Sequence, residues 1–187
     1  MAERWDRMRA RLATEHGFSL IEMVVAVALA GVALTAIVGS FDSSRDLIGR
    51  AERIETATHI GEQELERLMG QDFATVATSS LPVYDSSQYD PRYFVKADGS
   101  GYQWDHSEAT RVEPFVAASG TLAPSSAWTD GSTRLSGNVW RFVTWVDDPN
   151  ITGTENAKRI TVAVTVSGKT PTKPITFTSI LWDRKAI

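Results

Sequence analysis

The chain contains no cysteine, and its first proline is Pro82. The first absence excludes disulfides, thiolate zinc sites and cysteine nucleophiles. The second leaves 81 residues in which nothing forces a helix to break, because an interior proline removes a backbone bond and clashes with the preceding turn. Histidine is scarce, with only His16, His59 and His106. No His-x-x-x-His pair, no Gly-x-Ser-x-Gly elbow and no phosphate-cradling glycine loop occurs, so nothing in the chain has the pattern of a zinc protease, a serine hydrolase or a nucleotide-binding enzyme. A net charge of −4 gives no overall basic footprint for nucleic acid. The 187 residues, 42% of them hydrophobic, suit one globular domain with an attached segment.

Charge is also nearly missing from Phe18 to Phe41, a run of 24 residues whose polar side chains are Ser19, Glu22, Thr35 and Ser40. As a helix this run reaches about 36 Å, enough for a hydrocarbon core of about 30 Å. Glu22 is the anomaly. A carboxylate within an apolar span costs roughly 2.5–3.5 kcal/mol on insertion scales, so it marks a functional site and demands a positive partner. Arg4, Arg7, Arg9 and Arg11 precede the run, against Glu3, Asp6 and Glu15. Basic flanks stay in the cytoplasm, which places the N-terminus inside and everything after about Phe41 outside the inner membrane.

The stretch Gly17-Phe18-Ser19-Leu20-Ile21-Glu22-Met23 resembles the processing site of type IV prepilins and type II secretion pseudopilins. That resemblance implies cleavage between Gly17 and Phe18 by a prepilin peptidase, methylation of the new Phe18 amine, and assembly through Glu22. It also implies partners: other pilin or pseudopilin subunits, the inner-membrane assembly platform, and lipid before assembly. No cofactor is expected. Two plainer readings compete: a secretory signal peptide, whose h-region is shorter and carries no Glu, and a single-pass anchor, which leaves Glu22 unexplained.

Residues 18 to about 69 are expected to form one helix. It is apolar all round up to Val38 and amphipathic after Phe41, with a stripe of Leu47, Ala51, Ile54, Thr58, Gly61, Leu65 and Leu68, and Gly70 as its stop. Leu65 and Leu68 are assigned to the chain's own core; around Ala51 to Thr58, packing on neighbouring subunits competes equally. Gly31, Thr35 and Gly39 repeat at intervals of four, a spacing that lets membrane helices approach closely. The expected division is a leader over 1–17, a membrane or filament-core helix over 18–41, its amphipathic continuation over 42–70 and a β-rich domain over 71–187.

Phe73 to about Tyr93 reads as a connecting loop. Strands are expected at Val139–Val146, Arg159–Val166 and Ile175–Trp182 as an antiparallel meander lying on the helix, with shorter candidates at Arg92–Lys96, Tyr102–Trp104 and Arg111–Val116. This is an α+β pilin-like architecture. The segment from Asp147 to Glu155 imitates a calcium loop, but Arg159 stands where an EF-hand needs a bidentate Glu. Asp147, Asp148, Asn150 and Glu155 are left as a looser oxygen-ligand set, weighed against a simple hairpin turn. Trp140 and Trp145 are assigned to the core and Trp128 to an exposed loop. The functional expectation is a structural filament subunit, minor rather than major because the proline common in major pilins is absent and Gly39 stands there. The alternative is a tip module that recognises DNA, a surface or secreted proteins through the loop Phe73–Tyr93 or around Trp128.

Overall fold

The structure is a computed structural model that describes residues 19–104, 111–116, 120–146, 156–168 and 173–183. It divides into two compact units, one ending at Gly49 and one beginning at Arg50. A single helix, α1 (Leu20–Met69), contributes to both.

In the first unit, α1 is fully exposed from Leu20 to Ile48. Leu20, Val27, Leu29, Val32, Leu34 and Phe41 are each more than 60% exposed, and this part of α1 is long and apolar enough to cross a membrane. Its few hydroxyls turn inward on the helix itself: Thr35 donates to the Val32 carbonyl at 2.8 Å and Ser43 to the Gly39 carbonyl at 3.0 Å. Such back-bonding satisfies a hydroxyl without water, as an apolar surrounding demands.

The second unit is a sheet covered on both faces. Its strands are β1 (Gly101–Gln103), β2 (Val112–Pro114), β3 (Ser125–Thr129), β4 (Ser136–Trp145), β5 (Ala157–Val166) and β6 (Ile175–Trp182). The last four form an antiparallel meander in the order β3-β4-β5-β6, and β1-β2 is a separate two-stranded ribbon. Period-2 alternation assigns each strand's residues to a face. On one face Val139, Val143, Ile160, Val162 and Val164 pack with Ala57 and Leu68 of α1, flanked by Ile60, Leu65 and Phe177. On the other, Phe142 and Ala163 pack with Val95, Tyr102 and Phe115, flanked by Phe94, Trp104 and Trp140. β4 therefore carries large apolar side chains on both sides because both sides are covered.

The long helix, its end at Met69 before Gly70, the loop after Phe73 and the three long strands agree with expectation. Four details differ. The meander has a fourth strand, β3, whose Ser-Ser-Ala-Trp-Thr sequence carries little β signal and pairs only because β4 offers it an edge. Trp128 accordingly lies in a strand, half-buried, with its indole N–H 3.3 Å from the Thr165 carbonyl. It sits opposite Gly137, where a Cβ would collide with the Thr165 carbonyl. Arg92–Lys96 is no strand: Pro91 starts a 3-10 turn over Pro91–Phe94, capped by the Asp90 carboxylate, which accepts from the Arg92 N–H. Finally, the buried stripe of α1 runs through Ala57, Gly61 and Leu68, whereas Ile54 is 58% exposed. A seven-residue repeat drifts by about 20° per heptad on a straight helix, so the expected stripe matches the sheet only near Gly61 to Leu68.

Gly61 lies directly against the Phe177 ring of β6. A Cβ there would overlap the Phe177 ring, whereas nothing lies within 4 Å of one at Gly49. Gly61→Val is expected to lower the stability of the second unit by about 1–3 kcal/mol through overpacking. Gly49→Ala is expected to be neutral or stabilising by up to about 1 kcal/mol. Urea unfolding of the full chain in detergent, followed by tryptophan fluorescence, checks both.

Candidate functional site

At the start of α1 the backbone turns helical at once: the Met23 N–H donates to the Ser19 carbonyl at 3.1 Å. Glu22 lies in the first turn, exposed among apolar side chains. Among the described residues every ion pair lies in the second unit, and none engages Glu22. Gly17 and Phe18 lie outside the described residues, as do His16 and the whole leader. This end of α1 thus presents one exposed acid among exposed apolar side chains.

The second unit holds three internal charge clusters, none legible in the sequence. Arg141, 7% exposed, reaches from β4 to α1 and donates its Nε to Glu64. Its other nitrogens bind the Ala123 carbonyl at 3.1 Å and the Ser126 hydroxyl at 2.9 Å. Glu64 also accepts from Arg67 at 2.6 Å. Burial works to raise the Glu64 carboxyl, but hydrogen bonds from Arg67 and Arg141 outweigh it and hold the group below its ordinary value. On the opposite face Glu113, 1% exposed, accepts from the Thr144 hydroxyl at 2.8 Å and Arg159 at 3.0 Å. Lys158 lies under the loop that follows α1, donating to the carbonyls of Phe73 at 2.7 Å and Val76 at 3.0 Å, with the Phe73 and Trp145 rings against it. Each cluster joins segments far apart in the chain. They are fasteners of the fold.

Other candidates fare differently. Asp147, Asp148, Asn150, Glu155 and His106 lie outside the described residues. Among the described residues no group of three His, Cys, Asp or Glu side chains could hold a metal ion. His59 is exposed on α1. The loop after α1 exposes Leu81, Val83, Tyr84 and Tyr89, and Tyr84 joins Tyr93, Lys96 and Gln103 around a groove of about 540 Å³. Trp128 is no part of that surface. The exposure of the loop agrees with the tip-module alternative only as far as its location.

Residues 12–38 match the family model described as the prokaryotic N-terminal methylation motif. No curated protein and no solved structure matches the chain.

The Glu64–Arg141 pair carries a pH dependence. A carboxyl whose folded value is depressed stabilises the fold above its unfolded value of about 4.5, and that stabilisation is lost as pH falls through the folded value. Unfolding free energy of the second unit is expected to be flat from pH 7 to 5 and to fall below about pH 4.5. Arg141→Met is expected to cost about 1–3 kcal/mol at pH 7 and to flatten part of the acid limb. Urea titrations of both proteins at a series of pH values measure the difference.

Proposed function

We propose that this chain, which carries the N-terminal signature of the type IV pilin and pseudopilin family, is a structural subunit of a filament, made as a precursor and cut between Gly17 and Phe18. The observation that carries the reading is the spacing of Gly17, Phe18 and Glu22 inside the matched residues 12–38. Hydrolysis of the Gly17–Phe18 bond leaves a carboxylate on the leader and an ammonium on Phe18. Methylation of that amine keeps it cationic. The leader, with Arg4, Arg7, Arg9 and Arg11, would otherwise have to be buried among apolar helices at prohibitive cost.

Glu22 then meets the Phe18 ammonium of an adjacent, already assembled subunit. Two unit charges at about 4 Å attract by about 1 kcal/mol in water and by about 4 kcal/mol at an effective dielectric constant of 20. The pairing selects the axial register, because any other leaves both charges buried and alone; the apolar surface of α1 supplies the adhesion. The precursor sits as a single-pass protein in the inner membrane with its leader in the cytoplasm, and passes to the filament through the assembly platform. Absence of proline before Pro82 and the two-faced β domain favour a minor subunit. The role is structural rather than enzymatic.

Two outcomes are expected in the native host. Gly17→Val blocks conversion of precursor to mature chain while Gly17→Ala reduces it less, seen as two bands on immunoblots of membranes; equal processing of all variants rejects the site. Glu22→Ala leaves insertion and cleavage intact but removes the chain from sheared filaments, and undiminished incorporation rejects the pairing.

A further inference from the structure

Between the isolated bridge Thr78↔Leu122 and the 3-10 turn Pro91–Phe94, residues 80–89 belong to no helix or strand. Both flanks are fixed. The Ser79 N–H donates to the Leu122 carbonyl at 2.7 Å, and the Asp90 carboxylate caps the turn. Within the segment Pro82 is buried and Asp85 half-buried; the other eight residues are exposed. The backbone bonds of this stretch stay local: the Ser87 N–H donates to the Asp85 carboxylate at 2.8 Å and the Asp90 N–H to the Ser87 carbonyl at 3.1 Å. Among the described residues, one hydrogen-bonded ion pair ties residues 83–89 to anything beyond Asp90, and it joins Asp85 to Arg92.

Arg92 is a prepared partner. Its guanidinium lies 4.5 Å from the centre of the Trp140 ring on β4. Asp90 accepts from its Nε at 2.9 Å, from its Nη2 at 2.8 Å and from its backbone N–H at 2.8 Å. The ring and the Asp90 fork fix the guanidinium plane, and Nη2 then reaches Asp85 at 2.7 Å. Asp85 is equally committed, with Oδ1 on the Ser87 N–H and Oδ2 on Arg92. The two side chains are still 28% and 32% exposed, and pairs of that kind contribute little enough to open without unfolding a sheet. Tyr84, the neighbour of Asp85, forms one wall of the groove lined also by Tyr93, Val95, Lys96 and Gln103.

We propose that residues 83–89 are a hinged strap closed by the Asp85–Arg92 clasp, and that release of the clasp swings Tyr84 away from the groove while the sheet stays folded. Buried Pro82 and the capped turn at Asp90 are the fixed ends between which the strap moves. A segment this short, held at both ends, changes its closure entropy little between the two positions, so the ion pair decides the balance. Ionic strength biases it, because a half-exposed pair is screened by salt. Any ligand that binds the groove better in one position couples to the clasp by that difference in affinity.

Tyr84 and Tyr89 let chymotrypsin, which cuts after aromatic residues, report the opening. Cleavage tracks the open population when reclosing is fast. The test uses the full chain in detergent under native conditions, with cleavage sites read by mass spectrometry and rates normalised to an unfolded peptide. Asp85→Asn keeps an acceptor for the Ser87 N–H and removes the charge. It is expected to speed cleavage after Tyr84 and Tyr89 by about three- to fivefold, the range for a half-exposed charge pair, with the urea midpoint unchanged. Arg92→Gln is expected to do at least as much, and the double variant no more than Arg92→Gln alone, because both act through one contact. Should Arg92→Gln unfold, salt replaces it: going from about 0.05 M to about 0.5 M is expected to speed cleavage of the unaltered chain and to leave Asp85→Asn unchanged. Three results overturn the proposal: Asp85→Asn cut at the unaltered rate, acceleration matched by a fall in the urea midpoint, or the same salt effect in both proteins. Cleavage at Gly17 and filament assembly enter none of these readouts, so failure here and failure of the filament reading are separable.

Discussion

A helix of 50 residues that must satisfy two surroundings is the constraint on which this protein is built. Most of its first thirty residues are apolar and exposed, and Thr35, Ser43 and Ser44 bond their hydroxyls back to the helix. Its last twenty lie on a sheet, where only Ala57, Gly61 and Leu68 are fully buried. Small residues at two of these three positions bring the helix down onto β6, and the close fit at Gly61 against Phe177 is the cost-sensitive point of that contact.

Charge is used in opposite ways along the chain. Arg141 with Glu64, Arg159 with Glu113, and Lys158 with two carbonyls all consume their charges inside the second unit. Each links elements that sequence separates, and each therefore makes the tertiary arrangement cooperative rather than merely compact. Glu22 is the contrast: an acid in the first turn of an apolar helix, with no such partner among the described residues.

Much of the fold was legible beforehand, for identifiable reasons. Ile160, Val162 and Val164 alternate with Thr161 and Ala163, and Ile175 to Trp182 does likewise, so β5 and β6 announce themselves by period. The motif matched over residues 12–38 is legible because it is complete within a short stretch of chain. β3 was not legible, because serine, serine and alanine carry no strand preference and the strand exists only through its register with β4. Trp128 was misplaced for the same reason. Around Ala51 to Thr58 the sequence left two coverings open, and in this chain Leu47 and Ile54 are exposed rather than packed on the sheet.

Sequence by itself determined what depends on neighbours a few residues apart: the proline-free helix, the solitary carboxylate in its apolar part and the alternating strands. Tertiary structure decided which side of α1 is buried, that the sheet has a second covered face, that Arg141 meets a glutamate 77 positions away, and which strand is left at the open edge. The reason is physical. Local periodicity sets the conformation of a segment, but the pairing of segments is set by loop closure and by complementary surfaces, and neither is written in any one stretch of chain.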